Sequence, residues 1–258
     1  MIKKNSRIAL LALSHTLISR QGITEEFFRG LLQALSAPGY RSLVGQLTDK
    51  GLLWLDRRPL GRYVGATDKG KSLLQEIYPA LQSREAGLWH LIAFTQAPKA
   101  DPQFRNLTEQ LRKERWLRLS RGVYTHPFNP GAQVTVLLET LYSKSVVLNT
   151  VSEWRFGFER AVIVREYGLE HLSDLYSGIS SEIERLLVTI NQRKELNYRI
   201  FSSLSSVIAR FESALVADVG LLPQVFQGSE NALDVHEQIA RVIQAAQAFP
   251  VAKNPRQG

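Results

Sequence analysis

The stretch that most constrains this chain runs from Ser36 to Leu74, "SAPGYRSLVGQLTDKGLLWLDRRPLGRYVGATDKGKSLL". It places a capped helix, a stop, two apolar runs around a basic turn and a second cap in immediate succession. Ser36 is suited to N-cap a helix, Pro38 is tolerated in its first turn, and Gly51 after Lys50 supplies a C-terminal stop. Leu43, Val44 and Leu47 fall on one face of that helix. At about 100° per residue the opposite side carries Ser42, Gly45 and Asp49, flanked by Arg41 and Gln46. Beyond Gly51, "LLWL", "DRRPLGR" and "YVGAT" read as two strands around a Pro/Gly turn bearing Arg57, Arg58 and Arg62. Thr67 then caps the helix "DKGKSLLQEIYPAL".

Two further helices precede this stretch. Ile8, Leu11, Ala12, Leu13, Leu17 and Ile18 fit a buried helix over Ser6 to Ile18. In "GITEEFFRGLLQALSAPG", Thr24 is an N-cap with Glu25 and Glu26 in the first turn, where negative charge complements the helix dipole. Phe27, Phe28, Leu31, Leu32 and Leu35 follow at three- and four-residue spacing. Three helices, a basic hairpin and another helix is the order of a winged helix-turn-helix, whose third helix enters the DNA major groove while the hairpin lies over the phosphates. On that reading Arg41, Ser42 and Gln46 are candidates for base-edge contact, and Lys50, Arg57, Arg58 and Arg62 for phosphate contact. Tyr40 falls toward the apolar face and packs. The bland alternative is that a basic turn is only solvated, and Asp49 on the outer face counts against groove insertion.

Charge supports the first reading. Residues 1–84 hold 13 Lys and Arg against 6 Asp and Glu (+7), residues 85–135 hold 7 against 4 (+3), and residues 136–258 hold 12 against 14 (−2). A basic front and a neutral back fit a polyanionic partner, although charge alone does not choose among DNA, RNA and an anionic membrane surface. No apolar run approaches the roughly 20 residues that span a bilayer, and the N-terminal stretch has no small-residue cleavage site, so a cytoplasmic protein is expected. There are no cysteines. The five histidines show no ligand-like spacing, so neither a structural metal nor a cofactor is expected.

Beginning at Trp89, "LWHLIAFTQAP" reads as a strand, "DPQFRNLTEQLRKER" as a helix with Phe104, Leu107 and Leu111 inward, and "WLRLSRGVYTHP" as two strands bending at Arg121-Gly122. "AQVTVLLETLYSK" is then a helix and "SVVLNTV" a strand. The succession β-α-β-β-α-β is the signature of a ferredoxin-like unit. From about Glu159 onward the pattern is helical, with long segments at "LEHLSDLYSGISSEIERLLVTI", "NYRIFSSLSSVIARFESALVAD" and "ENALDVHEQIARVIQAAQAF". The chain is therefore expected to be α+β and predominantly helical: a winged helix-turn-helix over residues 1–84, a ferredoxin-like domain over 85–155, a helical domain over 156–250 and a tail over 251–258.

This order of pieces resembles the PaaX-like family of bacterial transcriptional regulators, which join a winged helix to a Cas2-like ferredoxin domain and a helical C-terminal domain. "YRSLVGQLTDKGLL" with "GRYVGATDKG" is similar to that family's recognition helix and wing. "WHLIAFTQAP" with "LRKERWLRLSRGVYTHP" is similar to the first half of its Cas2-like domain, and "LVADVGLLPQVFQGSENALDV" to its C-terminal Leu-Pro signature, with Phe226 where a Trp is common. The resemblance implies a sequence-specific repressor that binds double-stranded DNA at a palindromic operator as a homodimer, responding to a small-molecule effector.

Two other functions compete. A Cas2-like nuclease needs a carboxylate near the end of the first strand to hold a divalent cation. That strand ends in Phe94-Thr95-Gln96, and Asp101 lies beyond Pro98, so no catalytic residues are assigned. A winged-helix adaptor that binds protein and not nucleic acid predicts no salt-dependent DNA binding.

Overall fold

The computed structural model describes residues 2–14, 22–82, 89–154 and 160–251. The chain is α+β and mainly helical, with two small antiparallel sheets. It divides into two units, Met1–Ser83 with Glu170–Gly258, and Arg84–Leu169. The expected separate helical domain over 156–250 is thus not a body of its own, because most of it packs onto the N-terminal segment.

In the first unit, helix α1 (Lys4–Leu13) buries Ala9 to Leu13. The expected extension to Ile18 falls outside the described residues. Strand β1 (Ile23–Thr24) leads into α2 (Glu25–Leu31), where the Phe27 amide donates to the Thr24 hydroxyl at 3.2 Å. Helix α2 is shorter than its apolar spacing predicts. Leu35 lies in the following turn, its amide donating to the Leu32 carbonyl at 2.9 Å.

Helix α3 (Ala37–Asp49) starts where expected, with the Gly39 amide donating to the Ser36 hydroxyl at 3.3 Å. Its end is a Schellman motif. The Gly51 amide donates to the Thr48 carbonyl at 2.8 Å and the Leu52 amide to the Leu47 carbonyl at 2.9 Å. Gly51 sits at φ +66°, which a side chain would make costly. Strands β2 (Leu53–Arg58) and β3 (Gly61–Ala66) form a hairpin across Pro59-Leu60, and β1 joins β3 to give the order β1-β3-β2. Helix α4 (Asp68–Ile77) follows. The Thr67 hydroxyl accepts from the Gly70 amide at 3.1 Å and donates to the Gly51 carbonyl at 2.7 Å, tying the end of α3 to the start of α4.

The C-terminal part of this unit comprises α8 (Leu169–Asn191), α9 (Tyr198–Ala217), the short α10 (Leu222–Val225) and α11 (Ala232–Gln247), with Leu169 itself counted in the second unit. One face of α9, including Phe201, Leu204, Ile208 and Phe211, is buried, and the helix packs on α1 and α2. Helix α9 is long and apolar enough to cross a membrane, yet half of its most apolar stretch is buried within the protein. Its apolar character is therefore accounted for by packing. Glu212 on α9 is buried against Arg7 and Tyr78, and the Tyr176 hydroxyl donates to Asp218 at 2.8 Å.

The second unit follows the predicted β-α-β-β-α-β succession: β4 (Trp89–Phe94), α5 (Pro102–Lys113), β5 (Leu117–Ser120), β6 (Val123–His126), α6 (Ala132–Leu141) and β7 (Val146–Val151), then α7 (Arg160–Tyr167). The sheet order is β5-β6-β4-β7, antiparallel throughout. Ile92, Phe94 and Tyr124 from the sheet meet Phe104, Leu107 and Leu111 of α5 and Val134 and Leu138 of α6 in one core.

Candidate nucleic-acid interface

Helix α3 has one buried side and one open side, as its sequence period requires. Tyr40, Leu43, Val44 and Leu47 are buried, whereas Arg41, Ser42, Gln46, Asp49 and Lys50 are exposed. The Gln46 amide donates to the Ser42 hydroxyl at 3.3 Å, aligning the two groups along the helix. A Cβ on Gly45 would meet nothing within 4 Å, so the middle of this side is open to another surface. Tyr40 packs edge-on against Phe28, with centroids 6.0 Å apart. Burial raises its hydroxyl pKa, and the charge of Glu25 adds to the shift.

Lys50 caps the helix, and its carbonyl accepts from the Lys69 ammonium at 2.7 Å. Two lysines are thus adjacent at the end of α3. Lys69 was not among the expected contact residues, because its closeness to Lys50 depends on the Thr67–Gly51 bond that folds α4 back.

The hairpin separates the three arginines that looked equivalent in the sequence. Strand alternation puts Arg57 and Arg62, which are direct cross-strand partners, on one side, and Trp54, Asp56, Arg58 and Tyr63 on the other. Arg58 donates to Asp56 at 2.9 Å, and its guanidinium lies 4.5 Å from the Tyr63 centroid and 5.7 Å from that of Trp54. Its charge is countered and stacked, which weakens it as a phosphate contact. Arg62 pairs with Glu25 at 3.4 Å. Arg57 is exposed and forms no ion pair among the described residues, so it is the hairpin arginine most available to a polyanion.

Arg41 and Arg62 also line a groove of about 1470 Å³, together with Arg29 of α2 and, from the other end of the chain, Arg193 and Arg199. The last two were missed by sequence reasoning because they belong to the segment whose net charge is −2. The local run "RKELNYR" over residues 193–199 was the available signal.

Asp101, the nearest carboxylate to the end of β4 on the nuclease reading, has both oxygens engaged. One accepts from the Gln103 amide at 2.8 Å and the other from the Tyr142 hydroxyl at 2.6 Å. The Tyr142 bond and the capping amides hold its carboxyl below the usual range. Asp101 is a helix cap for α5. Among the described residues, no group of three or more His, Asp or Glu side chains is placed to hold a metal ion.

No family model matches the chain, and no curated protein matches it. A solved structure, the uncharacterized protein Rv0674 from Mycobacterium tuberculosis, is similar with a TM-score of 0.45 and 15% sequence identity, over 88% of this chain and 91% of that one.

Proposed function

We propose that this protein is a sequence-specific DNA-binding transcriptional regulator of the PaaX-like type, a cytoplasmic homodimeric repressor acting at a palindromic operator. The observation that carries the reading is the open polar side of α3, stopped by a Schellman turn and followed directly by a hairpin whose Arg57 has no carboxylate partner among the described residues. In this reading residues 1–84 form a winged helix-turn-helix. Arg41, Ser42 and Gln46 touch base edges, while Lys50, Arg57 and Lys69 touch phosphate. Arg58 supports the wing through Asp56 and Tyr63, and Arg62 is released to phosphate only in exchange for Glu25.

The second unit is then a ferredoxin-like, Cas2-like domain, for which the sheet order β5-β6-β4-β7 is the supporting observation. It is also the joining element. Strand β7 is an edge strand, and it exposes Val147 (42%) and Leu148 (48%), apolar side chains at a free edge that a second copy would cover. A small-molecule effector belongs to the same reading.

The test is affinity for duplex DNA as a function of salt. Each phosphate contact lowers the slope of log K against log salt by about 0.9. Wild-type protein should show a steep slope and a footprint of two inverted half-sites, and Arg57→Ala should flatten the slope by about one contact. Binding that ignores salt, or no duplex binding, leaves the protein-adaptor alternative in its place. Val147→Glu with Leu148→Glu should yield a monomer by light scattering; a dimer that persists would move the interface away from β7.

A further inference from the structure

We infer that the C-terminal helices form a second wall of the DNA-binding face, where Arg193, Tyr198 and Arg199 grip the phosphate backbone flanking the bases read by α3. The inference rests on the DNA-binding reading and adds a contact surface that the helix-turn-helix and hairpin do not supply.

The first support is fixed geometry. A Cβ on Gly30 of α2 would lie 2.7 Å from the Phe201 ring of α9, so backbone and ring are in direct contact. Phe27 meets Phe201 edge-on at 5.2 Å, and the Ser205 hydroxyl donates to the Leu31 carbonyl at 2.5 Å. Helix α2 immediately precedes α3. Tyr198 and Arg199 lie within one turn of Phe201, so their position relative to the reading head is set by this packing.

Charge is the second support. The groove is lined by Arg29, Arg41, Arg62, Arg193 and Arg199 against Glu25 and Glu26, and Glu25 is taken by Arg62. The other four arginines form no ion pair among the described residues. Like charges around one concavity repel one another and focus a field that attracts a polyanion. The N-terminus of α9, a 20-residue helix starting at Tyr198, adds the positive end of its dipole to the same wall. Tyr198 itself is 63% exposed, an uncovered hydroxyl donor at the rim.

Size decides between a small ligand and a backbone. A groove of about 1470 Å³ exceeds the roughly 300–1,000 Å³ typical of small-molecule pockets. It is bounded on one side by the start of α3 and the tip of the hairpin, and on the other by the α8–α9 loop and the start of α9. A strand of duplex DNA running past the N-terminal end of α3 fits such a trough, with Arg193 and Arg199 reaching phosphates outside the half-site core.

The experiment uses the full-length protein with Arg193→Ala and Arg199→Ala combined. Both residues are exposed, so the melting transition should be unchanged. The slope of log K against log salt should become shallower by about 1.8, two contacts' worth, with every sequence weakened alike and base preference unaltered. If the slope and affinity stay at the wild-type values while Arg57→Ala still flattens the slope, the C-terminal wall is wrong and the DNA-binding reading stands. If wild-type protein itself shows no salt-dependent binding, the DNA-binding reading has failed. An altered preference at a single base pair would overturn the phosphate assignment. As an independent readout, a photo-crosslinking side chain at position 198 should label DNA flanking the half-site; labelling confined to the core, or none, counts against the proposal.

Discussion

Glu212→Ala should uncouple the C-terminal helices from the N-terminal segment. The Glu212 carboxylate is about as buried as a side chain can be, at 2% exposure, and one of its oxygens accepts from Arg7 Nε at 2.8 Å, Arg7 Nη2 at 2.7 Å and the Tyr78 hydroxyl at 2.8 Å. Lys4 lies 4.0 Å from the other oxygen. Removing one partner of a buried pair costs roughly 3–5 kcal/mol, since the remaining charge stays desolvated. Arg7 retains the Tyr78 hydroxyl and the Ile2 carbonyl and is one-fifth exposed, so the lower end, about 3 kcal/mol, applies. That is a factor of about 150 in the folding equilibrium. Urea denaturation should show the midpoint falling with an unchanged m-value. Tyr78→Phe, which removes one neutral donor, should cost about 1 kcal/mol. Replacing Arg7 and Glu212 together with Met should restore most of the loss, because no uncompensated charge is left. A Glu212→Ala penalty below about 1 kcal/mol, or a double variant equal to the sum of the singles, would refute the reasoning.

Burial, helped by the nearby charge of Lys71, lowers the His236 pKa to about 4, and its ring lies 2.5 Å from the Ser14 hydroxyl. The unfolded chain binds that proton near pH 6.5, so stability should be lost as pH falls from about 6.5 toward 4, by up to about 1.4 kcal/mol per pH unit. Subtracting the profile of His236→Asn isolates this contribution, and parallel profiles would contradict it. Gly51→Ala should cost about 1–2 kcal/mol in chemical denaturation, since φ +66° is retained only with strain; an unchanged midpoint would show that the turn can relax. Gln46→Ala should change preference at one or two base pairs, by about 1–3 kcal/mol in a randomised-library selection. Uniform weakening would instead make Gln46 a positioning residue.

The caps were legible in the sequence because a cap is a local event. Thr24, Ser36 and Thr67 each bond an amide three residues ahead, and Gly51 stops α3 through bonds to Leu47 and Thr48. The strand and helix order of the second unit was legible for the same reason, through its alternation of periods. The domain partition was not. The apolar stripe of α9 says that Phe201, Leu204 and Phe211 are buried, but not that their partners are α1 and α2, some 170 to 200 positions away. At the candidate site, the buried and open sides of α3 were legible because both follow from the period of one helix. Arg57, Arg58 and Arg62 were grouped together because charge was counted before alternation; Asp56 and Arg58 share a strand face, and that spacing already pointed to their pairing.

Charge counted by unit changes what the basic composition can support. Residues 1–83 and 170–258 together hold 20 Lys and Arg against 16 Asp and Glu, and residues 84–169 hold 12 against 8, so each unit carries +4. The N-terminal excess therefore does not mark one body as the polyanion-binding one. Arrangement does. In the first unit several C-terminal acids are engaged within the fold: Glu212 with Arg7, Glu182 with Arg210, Glu237 with Arg241, and Asp218 with Tyr176 and the Gly220 amide. Arg29, Arg41, Arg193 and Arg199 have no such partner among the described residues, and they share one groove. A fold that engages several of its acids internally and lines one groove with these arginines concentrates positive charge there in a way that a net charge of +4 does not reveal. The salt slope, which counts phosphates neutralised and is insensitive to charges elsewhere, is the measurement that reads this arrangement directly.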